Sequence, residues 1–88
     1  MREVLHDEEG LVVALEEGDQ GLMAVLESGE DGPDLSVDHE VVVIVDGRGR
    51  EVVVDDSHRA VASLGEPEGN WKLMVRVHEF FEGWEISI

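Results

Sequence analysis

The amino-acid sequence predicts a mainly β protein, a small antiparallel sandwich or barrel of about six to seven short strands with at most one or two short helices; an α+β fold is the alternative. Two observations predict this class. Short runs rich in β-branched residues recur along the 88-residue chain, and glycine, proline, aspartate or asparagine separates them. The length predicts a single acidic, β-rich domain spanning residues 1–88, with a modest core.

The strongest strand pattern lies in residues 40–56, EVVVIVDGRGREVVVDD. Residues 41–45 are β-branched without a break, which favours an extended backbone. Side chains of a strand alternate between its two faces, so this unbroken apolar run is expected to be covered on both sides at the centre of a sheet. Gly47 and Gly49 supply a turn, and residues 52–54 are predicted to return antiparallel to the first run as a β-hairpin.

The segments before this hairpin are predicted to be two further strand regions and a loop. Residues 2–6 fit a short strand, and residues 11–16 and 22–27 fit a second hairpin around a five-residue loop, 17–21. A two-turn helix over 22–27 is the alternative, because good helix formers dominate that stretch. Flanking glycines leave too little length for a stable helix, so a strand is preferred. Residues 28–39, SGEDGPDLSVDH, are predicted to be a loop because two glycines, a proline and four acids occur together.

A short helix is predicted after the central hairpin. Asp56 or Ser57 fits a helix N-cap. Gly65 fits the left-handed residue that ends many helices. A two-turn helix is therefore favoured between these positions.

The C-terminal residues are predicted to form a final strand pair. Apolar and polar residues alternate over 71–78 and again over 84–88, as in half-buried strands. Trp71 and Trp84 are expected to meet across this pair. The aromatic residues Phe80 and Phe81 in the connection either close one end of the core or form a contact patch for a partner.

Charge is the property that bears most on function. The chain has 22 Asp and Glu against 6 Lys and Arg, a net charge of −16. Residues 1–47 hold 14 of the acids and one base, Arg2, whereas residues 48–88 hold 8 acids and 5 bases. The acids of the second part are therefore expected to have local partners, while those of the first part have few.

Composition disfavours several classes of partner and location. The chain has no cysteine, which fits a reducing compartment. No apolar run approaches the roughly 20 residues that a membrane helix needs, so we expect a cytoplasmic protein without a membrane partner. Direct binding of nucleic acid is disfavoured because affinity for the phosphate backbone comes from lysine and arginine.

No motif predicts catalysis, a metal or a cofactor. Asp31, Asp34 and Asp38 share a loop, but their spacing does not match the calcium-binding EF-hand pattern. The four histidines are far apart in sequence and contain no helical i, i+4 pair. Asp56, Ser57 and His58 are adjacent, whereas a catalytic triad is assembled in space. The sequence therefore predicts a protein that is not an enzyme and needs no cofactor.

The acidity predicts a small binding or inhibitor protein that presents carboxylates to a basic, nucleic-acid-handling protein. Duplex DNA carries one charge per about 1.7 Å of axis, and a strand places carboxylates at i and i+2 about 6.6 Å apart on one face. Phage-encoded anti-CRISPR proteins and immunity proteins of nuclease toxins are similar in size and charge. The predicted partner-binding residues are Glu16, Glu17, Asp19, Glu27, Glu30, Asp31, Asp34, Asp38, Phe80 and Phe81.

The alternative explanation of the acidity is adaptation to molar salt. Excess carboxylates and a single lysine, Lys72, are also expected of a small accessory or structural subunit from a halophile. In that case the charge has no specific partner.

Overall fold

The chain folds into nine strands, and no helix occurs in residues 2–37 and 39–87, which the computed structural model describes. The mainly β prediction is confirmed, with more strands than the six to seven expected. The strands are β1 (Arg2–Glu8), β2 (Leu11–Gly18), β3 (Gly21–Ser28), β4 (Val41–Val45), β5 (Arg48–Arg50), β6 (Val52–Asp56), β7 (Arg59–Gly65), β8 (Asn70–Val77) and β9 (Phe80–Ser87). Accordingly, no helix long and apolar enough to cross a bilayer is found in these residues.

The strands pair in two antiparallel sheets that form a sandwich. The five-stranded sheet has the order β1-β2-β3-β7-β6, and the four-stranded sheet has the order β5-β4-β8-β9. Both sheets bury alternate side chains in one apolar cluster, to which Leu26 of β3, Ala62 of β7 and Leu73 of β8 belong. Every strand except the exposed β5 contributes to this cluster or packs against it, and the opposite face of each such strand is directed outward.

Four connections meet at one end of the sandwich, which we call the loop end. They are the β1–β2 turn, the β6–β7 turn, the β8–β9 turn and the long segment 29–40, a name used here for its described residues 29–37 and 39–40. Backbone hydrogen bonds join them: the Gly29 amide donates to the Gly10 carbonyl at 2.8 Å, and the Leu35 amide donates to the Ser57 carbonyl at 3.0 Å. The β2–β3 turn, the β4–β5 turn and residues 66–69 lie at the opposite end, as the strand order requires.

The predicted pairing of residues 52–54 with residues 41–45 is wrong. β4 turns back at Asp46-Gly47, a shorter turn than predicted because Gly49 lies in the short strand β5, which is the hairpin partner of β4. The other edge of β4 is occupied by β8, so β6 continues into the other sheet and pairs with β7. The outer face of β4 also lacks the expected cover, since Val42 and Ile44 are only half-buried while Val43 and Val45 are buried.

The predicted helix between Asp56 and Gly65 is also wrong, because this segment is strand β7. Its buried residues alternate along the chain, and Ala60, Ala62 and Leu64 all enter the core. The two predicted cap residues, Asp56 and Gly65, lie instead at the two ends of this strand region, where each stabilises a change of chain direction. The Asp56 carboxylate accepts a hydrogen bond from the His58 amide at 2.7 Å in a tight turn, and Gly65 has a φ of 73° where the strand ends.

The remaining strand predictions are confirmed with adjusted boundaries. β2 and β3 form the predicted hairpin, but the strands extend further and the turn is only Asp19-Gln20. In the final pair, Trp84 lies opposite Leu73 and Trp71 opposite Ile86, so the two tryptophans are diagonal neighbours and do not face each other.

Candidate binding surface

The predicted partner-binding residues lie in several separate places. Glu16 and Glu27 are on the outer face of the five-stranded sheet, whereas Glu17 and Asp19 are at the opposite end. Residues of the predicted loop reach the loop end, and Asp38 lies outside the described residues. The loop-end members are Glu30, Asp31, Asp34 and the half-buried Phe80.

The two aromatic residues that the sequence placed in a connection belong to the start of β9, and they point in different directions. Phe80 lies opposite Val77 and packs against the core, so it closes one end of the sandwich. Phe81 lies opposite Arg76 on the outer face of the four-stranded sheet and is 58% exposed. Phe80 therefore fits the first alternative, closure of the core, and the exposed Phe81 fits the second, a residue available for contact. The two residues do not form one patch.

Arg2 pairs with two of the predicted binding acids. Its guanidinium donates a hydrogen bond to Glu27 and lies 3.8 Å from the Glu16 carboxylate. The hydrogen bond to Glu27, with the negative charges of Glu27 and Glu16, raises the pKa of Arg2 above its ordinary value. All three side chains are substantially exposed, so the cluster adds little stability. It does make these two acids less accessible to a partner than their sequence suggested.

The bases of the second part do not pair with acids as expected. Arg59 contacts Asp55, but no other ion pair occurs there within 4.0 Å in the described chain. The cations without such a partner all belong to strands of the four-stranded sheet; they are Arg48, Arg50, Lys72 and Arg76. Arg76 reaches the loop end, where its guanidinium donates to the His39 carbonyl at 3.0 Å, whereas Arg48 and Lys72 lie beside the β4–β5 turn at the opposite end.

A groove of about 520 Å³ opens at the loop end. Its apolar lining includes the half-buried ring of Phe80 and, at its base, the almost completely buried Leu11 and Val77. Acidic side chains from three different connections surround that surface. The lining is completed by His6, Glu8, Glu9, Pro33, Val37, Glu40, His78 and Glu79.

The long segment 29–40 forms one wall of the groove and is held firmly. Leu35 is completely buried in the core, although the sequence placed it in a polar loop. The Ser28 hydroxyl donates to the Pro33 carbonyl at 2.6 Å. Across the groove, the His78 amide donates to the Glu40 carbonyl at 2.8 Å, and the His78 ring lies 2.7 Å from the Asp34 carbonyl. These contacts fix the wall against the β8–β9 turn.

The Asp34 carboxylate stabilises this wall. It accepts hydrogen bonds from the Ser36 hydroxyl at 2.6 Å and from the Ser36 amide at 2.9 Å. Both bonds favour the ionised form and hold the pKa of Asp34 below its ordinary value, with smaller contributions from His78 and His58. Asp34 therefore has a structural role that the sequence did not predict.

A histidine and a phenylalanine form one side of the groove. The rings of His6 and Phe80 have centroids 4.4 Å apart and are tilted by 42°. The Nε2 atom of His6 is buried and has no hydrogen-bond partner in the described part of the chain. His39, His58 and His78 also lie at the loop end, yet residues 2–37 and 39–87 contain no group of three side chains placed to hold a metal ion.

The glutamates that line the groove were missed by the sequence analysis. Glu8 ends β1 and Glu9 lies in the β1–β2 turn, Glu40 precedes β4, and Glu79 belongs to the β8–β9 turn. These glutamates are far apart in the sequence, and it is the folding of the sandwich that brings them to one groove. A local signal was present, since Glu8 and Glu9 directly precede the turn residue Gly10.

Comparison with known proteins gives no functional assignment. No protein-family description, curated protein or solved structure matches this chain. The function proposed below therefore rests on the charge, burial and contacts of the chain's own residues.

Proposed function

We propose that the chain is a binding protein whose loop end presents carboxylates to a basic protein and occupies the surface which that partner uses for nucleic acid. The observation that carries this proposal is the unneutralised acidity of the loop end. Within the described residues, no Lys, Arg or His side chain lies within 4.0 Å of the following carboxylates. They are Glu8, Glu9, Glu30, Asp31, Glu40 and Glu79.

The arrangement has an electrostatic cost in the isolated protein. Like charges held close together repel each other, and at a net charge of −16 few counter-charges relieve that repulsion. A cationic partner would relieve it on binding. The hydrogen bonds that fix the segment 29–40 keep the charges in place before binding, so little ordering is required when the partner arrives.

A mimic of nucleic acid is the most specific form of this proposal. A DNA-binding surface is built from lysine and arginine that neutralise closely spaced phosphates, and a firm array of carboxylates competes for the same groups. The partner would therefore be a basic nucleic-acid-handling protein, and the chain would inhibit it by occupying that surface. No catalytic step is part of the proposal.

The mimic proposal predicts a partner that duplex DNA displaces. The immobilised protein is incubated with a nuclease-treated cell extract, and the retained proteins are eluted either with a salt series or with excess duplex DNA. We expect retention to fall steeply as salt rises, because screening weakens attraction between exposed charges. We also expect DNA to release the same protein. Retention that resists both salt and DNA would contradict the mimic proposal.

Neutralising loop-end acids is expected to weaken that binding without loss of stability. Glu30 and Asp31 are exposed and have no side-chain hydrogen bond in the described structure, so Glu30→Gln with Asp31→Asn removes repulsion at little structural cost. We expect about three- to tenfold weaker binding in dilute buffer, with an equal or higher melting temperature. Asp34 is left unchanged because it holds Ser36.

The matched control is the same pair of changes at the opposite end, Glu17→Gln with Asp19→Asn. Both residues are also exposed acids, Glu17 near the end of β2 and Asp19 in the β2–β3 turn, and the total charge change is identical. If both double variants weaken binding equally, the partner senses net charge, and the loop end is not the binding surface.

Adaptation to salt remains the second candidate because exposed acids also occur away from the loop end. Glu66 and Glu68 at the opposite end are examples. Circular dichroism in dilute buffer and in roughly molar potassium chloride separates the two explanations. We expect a folded β protein in dilute buffer whose melting temperature rises with salt as self-repulsion is screened. A chain that folds only near molar salt would support the halophilic explanation.

A further inference from the structure

We infer that the groove at the loop end binds an arginine side chain of the basic protein partner. This inference rests on the proposed function and adds the chemical group that the partner inserts. The groove combines an apolar floor, an aromatic ring and carboxylates from three connections in about 520 Å³. A flat acidic surface would attract any cation, whereas this combination fits a long side chain with a planar charged end.

The apolar wall of the groove fits the methylene stem of an arginine. Leu11 and Val77 close the base of the groove but are only 2% and 1% exposed, so they add almost no contact surface. The accessible apolar surface comes from the half-buried Phe80 and Pro33 and from Val37, which is 45% exposed. A long cationic side chain places its methylenes against such a surface while its charged end stays near polar groups.

The upper part of the groove fits the guanidinium group. The half-buried ring of Phe80 provides an aromatic surface for a cation, and its contact with His6 holds it in place. Glu8 and Glu9 on one side and Glu79 on the other supply carboxylates that can accept paired guanidinium hydrogen bonds.

Two properties of the guanidinium favour arginine over lysine. A planar guanidinium stacks on a ring and donates to carboxylates in two directions, whereas an ammonium group is a compact and strongly hydrated charge. The buried Nε2 atom of His6, which has no partner in the described residues, does not distinguish the two cations because both donate N–H groups.

The test is a titration of the whole chain, followed by nuclear magnetic resonance, with three short peptides. Acetyl-Gly-Arg-Gly-amide is compared with the same peptide containing lysine and with one containing citrulline, which has nearly the shape of arginine but no charge. We expect saturable shifts at Leu11, Val77 and Phe80, with arginine bound about fivefold or more tightly than lysine and citrulline not detectably bound. Equal affinity for arginine and lysine, or small shifts at acids all over the surface, would overturn the inference.

Three variants locate the effect. Glu40→Gln with Glu79→Gln removes groove carboxylates and is expected to weaken arginine-peptide binding about fivefold or more. Glu66→Gln with Glu68→Gln at the opposite end makes the same charge change and is expected to leave it nearly unchanged. Phe80→Leu is expected to reduce the preference for arginine over lysine. Equal weakening by both double variants would contradict a site in the groove.

The peptide titration and the retention experiment together separate this inference from the proposed function. If the chain retains a partner that DNA displaces, but the arginine peptide produces no groove shifts, the partner binds the acidic surface without inserting an arginine and the inference fails alone. If the groove selects arginine, but no DNA-displaceable protein is retained, the inference about the site stands and the mimic function fails.

Discussion

Leu35→Ala is expected to reduce the free energy of unfolding by about 2–5 kcal/mol, a large part of the stability of a domain of this size. Leu35 is 0% exposed and belongs to the core cluster, although it lies in the connecting segment 29–40. Its replacement leaves a cavity and removes the apolar contact that holds this segment to the two sheets. Urea unfolding followed by circular dichroism measures the loss as a lower midpoint.

Val37→Ala is the matched control in the same segment. Val37 is 45% exposed, so truncating it is expected to change the unfolding free energy by no more than about 0.5 kcal/mol. A similarly small effect of Leu35→Ala would mean that the segment is not part of the core. The acidic wall of the groove would then lack the firm support on which the proposed function depends.

Gly32→Ala is expected to reduce the free energy of unfolding by about 1–3 kcal/mol and to distort the groove. A Cβ atom at this position would be well inside van der Waals contact with the Gly10 carbonyl oxygen and the Ser28 hydroxyl. Neither atom can withdraw easily, because the Gly10 carbonyl accepts a hydrogen bond from Gly29 and the Ser28 hydroxyl bonds to Pro33. Segment 29–40 must therefore move away from the β1–β2 turn, which follows Glu8 and carries Glu9.

Gly49→Ala provides the comparison for this glycine. A Cβ atom at Gly49 meets no atom within 4 Å, and its backbone conformation suits an ordinary residue. We expect the free energy of unfolding of the Gly49→Ala variant to be unchanged or raised by up to about 1 kcal/mol, because alanine reduces the entropy of the unfolded chain. If thermal unfolding shows the two variants to be equally stable, the close approach of Gly10 and Gly32 does not constrain the fold.

The local pattern was sufficient to identify most strands. Alternating burial along β8 follows the alternation of apolar and polar residues in the sequence, because successive side chains of a strand point to opposite faces. The same alternation occurs in β7, but Asp56 and Gly65 are also typical helix-cap residues and therefore predict a helix in its place. An aspartate that accepts a backbone amide and a glycine with positive φ serve equally well at the two ends of a strand.

The sequence pattern did not predict which strands pair with each other. Residues 52–54 have the composition of a strand, but composition does not specify which strand edge they join. β4 already has β5 and β8 as neighbours, so β6 extends the other sheet beside β7. Pairing is decided by contacts between distant residues, and the turn sequence Asp46-Gly47 specifies only its immediate hairpin.

The sequence by itself determined the β class, the positions of most strands and turns, and the net charge, because each depends on composition or on neighbouring residues. Tertiary structure decided which charges act together. It brought Arg2 to Glu16 and Glu27, buried Leu35, and placed glutamates from three connections around one groove. The physical reason is that side-chain proximity follows from how the two sheets pack around their shared core, and that packing joins residues far apart in the chain.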